Sequence, residues 1–139
     1  MKKSFCRKTN YSRVARGFSL IELMTVVAVL AILTAIAYPS YTNYIVKTRR
    51  TAAKACMTQI SNYMERYYTT NMNYTAAVDP KLDCESTAQT GNFYSWTVTP
   101  GAAAYTITAA PTAQQPDTTC GTLTLNQAGT RTPATTGCW

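Results

Sequence analysis

From Phe18 to Tyr38 the chain runs for 21 residues with a single charge, Glu22. About 20 apolar residues wound as a helix span the hydrocarbon core of a bilayer. The run therefore restricts the chain to folds that keep a long apolar helix apart from whatever else is built. A carboxylate at membrane depth costs roughly 2.5–3.5 kcal/mol on insertion scales, so Glu22 predicts a cationic partner.

The charge of the chain is distributed to match. The formal net charge is +7, yet residues 1–17 hold Lys2, Lys3, Arg7, Lys8, Arg13 and Arg16 with no acid. Beyond them seven basic residues face six acidic ones, a net of +1. A basic segment before an apolar helix reads as a signal holding the N-terminus in the cytoplasm. It does not read as a nucleic-acid surface. A local patch of Lys81, Arg131 and the helix basics is the remaining site for DNA, with weak support from so small a net charge. The cysteines divide in the same way. Cys6 lies in the basic leader, and Cys56, Cys84, Cys120 and Cys138 follow the apolar run. Four cysteines in a small domain across a membrane predict two disulfides, with three connectivities open. There is no His and no C-x-x-C pair, which argues against a zinc site.

The apolar run admits several readings. It is a single membrane anchor, or the h-region of a secretory signal cleaved after Ala35-Ile36-Ala37. The long leader and the acid near the start of the run argue against the second. A lipoprotein attached at Cys6 is excluded because no apolar run precedes that residue. No Gly lies between Phe18 and Tyr74, and the only Pro there is Pro39. One helix to about Tyr68 is predicted, kinked or loosened at Pro39. Tyr38, Tyr41 and Tyr44 follow at spacing three and suit either a membrane interface or packing against other helices. Lys47, Arg49, Arg50 and Lys54 read as a solvated helix surface, or as partners of acids such as Glu65 or Asp79 across a contact between copies of the chain. Ala52, Cys56, Ile60, Tyr63 and Tyr67 form an apolar stripe that needs a sheet to cover it.

Three segments offer strands: Phe93–Thr99, Tyr105–Thr108 and Thr122–Leu125. Pro100-Gly101 and Asn126–Gly129 are turn signals, and Thr130-Arg131-Thr132 is a short fourth strand. Tyr105, Ile107, Leu123 and Leu125 would face the helix. The Thr- and Ala-rich stretches 109–119 and 132–137 read as exposed loops.

Gly17-Phe18-Ser19-Leu20-Ile21-Glu22-Leu23 resembles the prepilin signature of the type IV pilin family. Cys120-Gly121-Thr122-Leu123 with Cys138-Trp139 resembles the minor pilins called PilE. The resemblance implies an α+β pilin fold. A long N-terminal helix, with a membrane-spanning first half, lies against a small antiparallel sheet of three to four strands. A disulfide, Cys120–Cys138, closes a C-terminal loop, which leaves Cys56–Cys84 as the second pair. It implies a leader, residues 1–17, removed by a prepilin peptidase between Gly17 and Phe18, with N-methylation of Phe18. It further implies a transmembrane and filament-core half at 18–44 and a periplasmic or extracellular head at 45–139. Glu22 would pair with the N-terminal ammonium of a neighbouring subunit, and Pro39 would mark a locally melted turn in the filament.

No nucleophile elbow, phosphate loop or metal cluster appears, so an enzyme and a cofactor are not expected. The function implied is a structural subunit of a type IV pilus. More narrowly it is a minor pilin in filament initiation or assembly, supporting twitching motility, adhesion or DNA uptake. The alternatives are a DNA-binding competence pilin and a type II secretion pseudopilin. The implied partners are other pilins, the peptidase and methyltransferase, and the inner-membrane assembly platform. The implied location is the bacterial inner membrane before assembly and the extracellular filament after it.

Overall fold

The computed structural model describes residues 17–139. Residues 1–16, Cys6 included, lie outside the described residues. The chain divides into two compact units, one ending at Tyr38 and one running Pro39–Trp139. A single helix, α1, spans Leu20–Asn71 and contributes to both. Four strands follow: β1 (Tyr94–Pro100), β2 (Tyr105–Pro111), β3 (Leu123–Asn126) and β4 (Arg131–Thr132).

In the first unit α1 opens where the Ser19 carbonyl accepts from the Glu22 and Leu23 amides at 3.1 and 3.2 Å. Glu22 sits in the first turn, where a carboxylate complements the partial positive charge of the helix N-terminus. Every residue from Leu20 to Tyr38 is exposed. Among the described residues none packs over this apolar surface. Pro39 cannot donate a backbone hydrogen bond, yet the helix continues through it.

α1 ends three residues beyond Tyr68. Met72 adopts φ 57°, and its amide donates to the Tyr68 carbonyl at 2.8 Å. This is a left-handed C-terminal cap built on a residue other than glycine.

In the second unit the strands form an antiparallel meander in the order β1-β2-β3-β4. Val98 faces Ile107 and Ile107 faces Leu125, so one face of the sheet is apolar. Tyr105, Ile107, Ala109, Leu123 and Leu125 are buried in the core with Ala53, Cys56, Met57, Ile60 and Met64 of α1. Full burial of each large aliphatic contributes about 1.5–3 kcal/mol. The outer face carries Thr97, Thr108, Thr124 and Thr132 in one cross-strand row. That is the alternation of a half-buried sheet.

Two sequence expectations change. The buried face of α1 is Arg50, Ala53, Cys56, Met57, Ile60 and Met64, whereas Ala52 and Tyr63 are exposed. Met57 and Met64 are fully buried in the seam, where an unbranched, flexible side chain fills irregular gaps. The stretch 109–119 is an exposed loop only in part. β2 continues to Pro111, and Ala109, Gln115 and Asp117 are buried. Gln115 earns its place by donating to the Val46 carbonyl at 3.0 Å and to the Tyr94 hydroxyl at 3.1 Å.

Between α1 and β1 a loop is folded onto the helix by the Cys56–Cys84 disulfide. Gly91 is required there, because a Cβ would collide with the Glu85 carbonyl oxygen. A second disulfide, Cys120–Cys138, closes the C-terminal loop.

Tyr105 yields a pH prediction. It is 2% exposed, its hydroxyl donates to Glu65 Oε1 at 2.9 Å, and it shares a 2.8 Å hydrogen bond with the Ser61 hydroxyl. Burial first of all pushes its pKa up to about 12. The folded state therefore holds the phenol proton more tightly than the unfolded chain does. The associated stability is complete below pH 10 and is lost as pH climbs from 10 to 12. Two units correspond to roughly 2–3 kcal/mol. Urea melts of Tyr105→Phe are expected to fall less steeply over that window than those of the parent. Equal slopes would contradict the assignment.

Candidate nucleic-acid interface

One face of α1 beyond the apolar half presents Tyr44, Lys47, Thr51, Lys54 and Thr58, spaced by three, four, three and four residues. Such spacing lines one side of a helix. Along it lies a shallow groove of about 550 Å³ lined by Tyr44, Lys47, Arg50, Thr51, Lys54 and Gly137 among others. An adjoining hollow of about 300 Å³ is lined by Thr51, Lys54, Ala55, Thr58, Arg131 and Trp139. Thr51 and Lys54 belong to both, so the two form one continuous depression between the helix and the C-terminal arm.

The sheet and the second disulfide build the far wall. Arg131 lies opposite Leu125 on β4, at the edge of the sheet where its long side chain reaches past the core to α1. Its guanidinium lies 5.4 Å from the centre of the Trp139 ring. The Trp139 indole N–H donates to the Thr132 carbonyl at 2.9 Å, which fixes the ring beside β4. Cys138 is fully buried one residue before it.

Electrostatically the groove is cationic. Burial, then the charges of Arg50 and Arg131, hold the Lys54 ammonium below its usual range. Among the described residues Lys47, Lys54 and Arg131 make no salt bridge. Four of the six acids are engaged elsewhere. Asp117 grips Arg50 at 2.6 Å and Asp79 grips Lys81 at 2.7 Å. Glu65 accepts from the Tyr74 and Tyr105 hydroxyls, and Glu85 accepts from the Leu82 amide. The threonine hydroxyls are also spent. Thr51 donates to the Lys47 carbonyl and Thr58 to the Lys54 carbonyl, each at 3.0 Å. Donors for an incoming anion thus come from Lys47, Lys54 and Arg131, with Tyr44 and Trp139 as flanking aromatic surfaces.

The structure brings Arg131 to the helix basics but leaves Lys81 apart, tied to Asp79. Nor are the four helix cations one solvated surface. Arg49 lies 3.7 Å over the Phe93 ring and donates to the Gln114 carbonyl, and Arg50 is 6% exposed. Sequence reasoning missed the Arg50–Asp117 pair, whose members stand 67 positions apart. In the other unit Gly17 and Phe18 are exposed ahead of α1, and Glu22 is exposed in its first turn.

The chain matches two family models. Residues 39–124 match that of the type IV minor pilin ComP, DNA uptake sequence receptor. Residues 12–38 match the prokaryotic N-terminal methylation motif. Type IV major fimbrial protein FimA of Dichelobacter nodosus is 42% identical over 53 residues, which is 30% of this chain and 34% of FimA. The chain thus spans about a third of the length of that relative. A solved type IV pilin from Shewanella oneidensis superposes with a TM-score of 0.56 at 31% identity, covering 68% of this chain and 97% of that one. The non-core minor pilin PilV of Neisseria meningitidis gives 0.52 at 21% identity, over 63% and 85%. That likeness concerns the fold.

Proposed function

We propose, given that this chain belongs to the ComP family of type IV minor pilins, that it is a minor pilus subunit which captures DNA on its basic groove. Members of the family are structural subunits, not enzymes, so the chemistry at the groove is binding alone. The observation that carries the reading is the convergence of Lys47, Lys54 and Arg131 without a carboxylate among the groove's lining residues. Phosphate contacts of that kind supply most of the affinity of sequence-independent DNA binding and make it salt-dependent. Aromatic surfaces at the rim add contact area for sugars or bases. The test is retention of a labelled duplex by the full-length protein in neutral detergent micelles over a range of salt. Binding that weakens as salt rises supports the reading, and no binding at low salt overturns it.

The apolar unit gives the anchoring half of the proposal. A single match spans both Gly17-Phe18 and Ala35-Ile36-Ala37, which favours cleavage after Gly17 over cleavage after Ala37. Before assembly the chain sits in the inner membrane with its N-terminus cytoplasmic. There it meets the peptidase, the methyltransferase and the assembly platform. After cleavage the Phe18 ammonium, just ahead of α1, and Glu22, in its first turn, offer opposite charges at exposed positions. Pairing between neighbours then removes a lone carboxylate from an apolar setting, an unpairing penalty of about 3–5 kcal/mol when buried. Pro39, which lacks a donor, is the place where α1 loosens most readily within the filament. The mass of the mature protein from cells is expected to start at N-methyl-Phe18. A start at Tyr38 would replace the pilus reading with a secreted head domain.

A further inference from the structure

The groove's outer wall is carried by a segment that one disulfide closes but does not orient. A covalent link between Cys120 and Cys138 fixes their separation, with Cα atoms 5.6 Å apart. It does not fix the angle at which Arg131 and Trp139 meet α1. Arg50 supplies what the link lacks. Its Nε and second terminal nitrogen donate to Asp117 Oδ2 and Oδ1 at 2.6 and 2.7 Å. The same Oδ1 accepts from the Cys120 amide at 3.1 Å. The remaining arm of the guanidinium donates to the Gly137 carbonyl at 3.3 Å. One side chain of α1 therefore holds the chain just before each of the two bridged cysteines. It stands four residues from Lys54.

Bulk stability is a poor explanation for this arrangement. A buried ion pair is often replaceable by apolar residues at no net cost. What such residues lack is direction, which a planar guanidinium with donors on three sides provides.

We propose that Arg50 and Asp117 are a positioning pair for the DNA groove, setting Arg131 and Trp139 against Lys54; this rests on the function proposed above. The test uses full-length protein in neutral micelles with Trp96→Phe as background, so that fluorescence reports Trp139 alone. In that background Arg50→Met is combined with Asp117→Asn. Both charges are removed together, and the Cys120 amide keeps an acceptor. The double variant is expected to melt close to the parent while its Trp139 becomes more open to acrylamide quenching. Its duplex affinity is expected to drop about five- to ten-fold near 0.1 M salt, with the salt slope shallower by about one phosphate contact. Arg50→Lys, which keeps the charge but not the three-way grip, is expected to fold and to show the same changes in smaller degree.

Unchanged quenching and an unchanged salt slope in folded variants would overturn the proposal and leave the pair a structural one. Absence of duplex binding by the parent itself would instead overturn the groove's function.

Discussion

Arg50→Ala is expected to destabilise the head by about 3–5 kcal/mol, because it leaves a carboxylate buried without its cation. The Asp117 side chain is 1% exposed, so water cannot replace the lost guanidinium without opening the loop. Its other hydrogen bond, from the Cys120 amide, is a single neutral donor and does not balance a full charge. A small domain has about 5–15 kcal/mol of net stability in total, so this one change removes a large share of it. Urea melts of full-length protein in micelles, followed by near-ultraviolet circular dichroism, would measure the loss. A shift below about 1 kcal/mol, the range of an exposed pair, would show that Asp117 reaches solvent and that the burial is misjudged. The contrast with the paired substitution of both residues is itself informative. Breaking the pair from one side and removing it from both are expected to differ in cost by most of that range.

Replacing Lys47, Lys54 and Arg131 together by alanine is expected to weaken duplex binding on the order of 10²-fold near 0.1 M salt, and to flatten the salt slope by about 2.7, at roughly 0.9 per phosphate contact. None of the three makes a salt bridge among the described residues. Lys54 is held below its usual pKa by burial and by Arg50 and Arg131. Removing this cluster relieves like-charge repulsion, and the melting midpoint is expected to stay near the parent's. That separates the affinity loss from unfolding. A triple variant that binds with the parent's affinity and slope would show that the anion contacts lie elsewhere, with Arg49 the next cation to examine.

The parts of this fold that were legible in the sequence are those written by local rules. A 52-residue helix announces itself by the absence of glycine after Phe18, and Pro39 did not break it. The strands followed from β-branched and aromatic runs bounded by Pro-Gly, Gly and Asn. Each came within a residue or so except β2, which runs three residues past Thr108. Those residues, Ala109, Ala110 and Pro111, have low strand propensity and are held there by pairing with β1. The C-terminal loop closed by Cys120–Cys138 followed from resemblance to the pilins, since four cysteines alone leave three pairings open.

The site was harder to see because its parts meet only in three dimensions. Lys54 and Arg131 are far apart in sequence, and no spacing rule joins a helix position to the end of a meander. Asp117 is flanked by Pro116 and threonines and looks like loop polarity. Only its burial beneath α1 shows that it neutralises Arg50. Lys81 looked equivalent to Arg131 by charge, yet Asp79 two residues away had already claimed it. Overall charge was a poor guide for the same reason. A net of +1 beyond the leader conceals a local excess, because carboxylates and cations are sorted to different places on the surface.

The most direct test of the central claim is to map where DNA touches the protein. A duplex carrying photoreactive groups on its backbone would be irradiated with the full-length protein in micelles, and the adducts located by peptide mass. The account predicts adducts concentrated on the helix face from Tyr44 to Thr58 and on the arm from Arg131 to Trp139, suppressed by salt. Adducts confined to the loop between α1 and β1, or to the outer threonine face of the sheet, would contradict it.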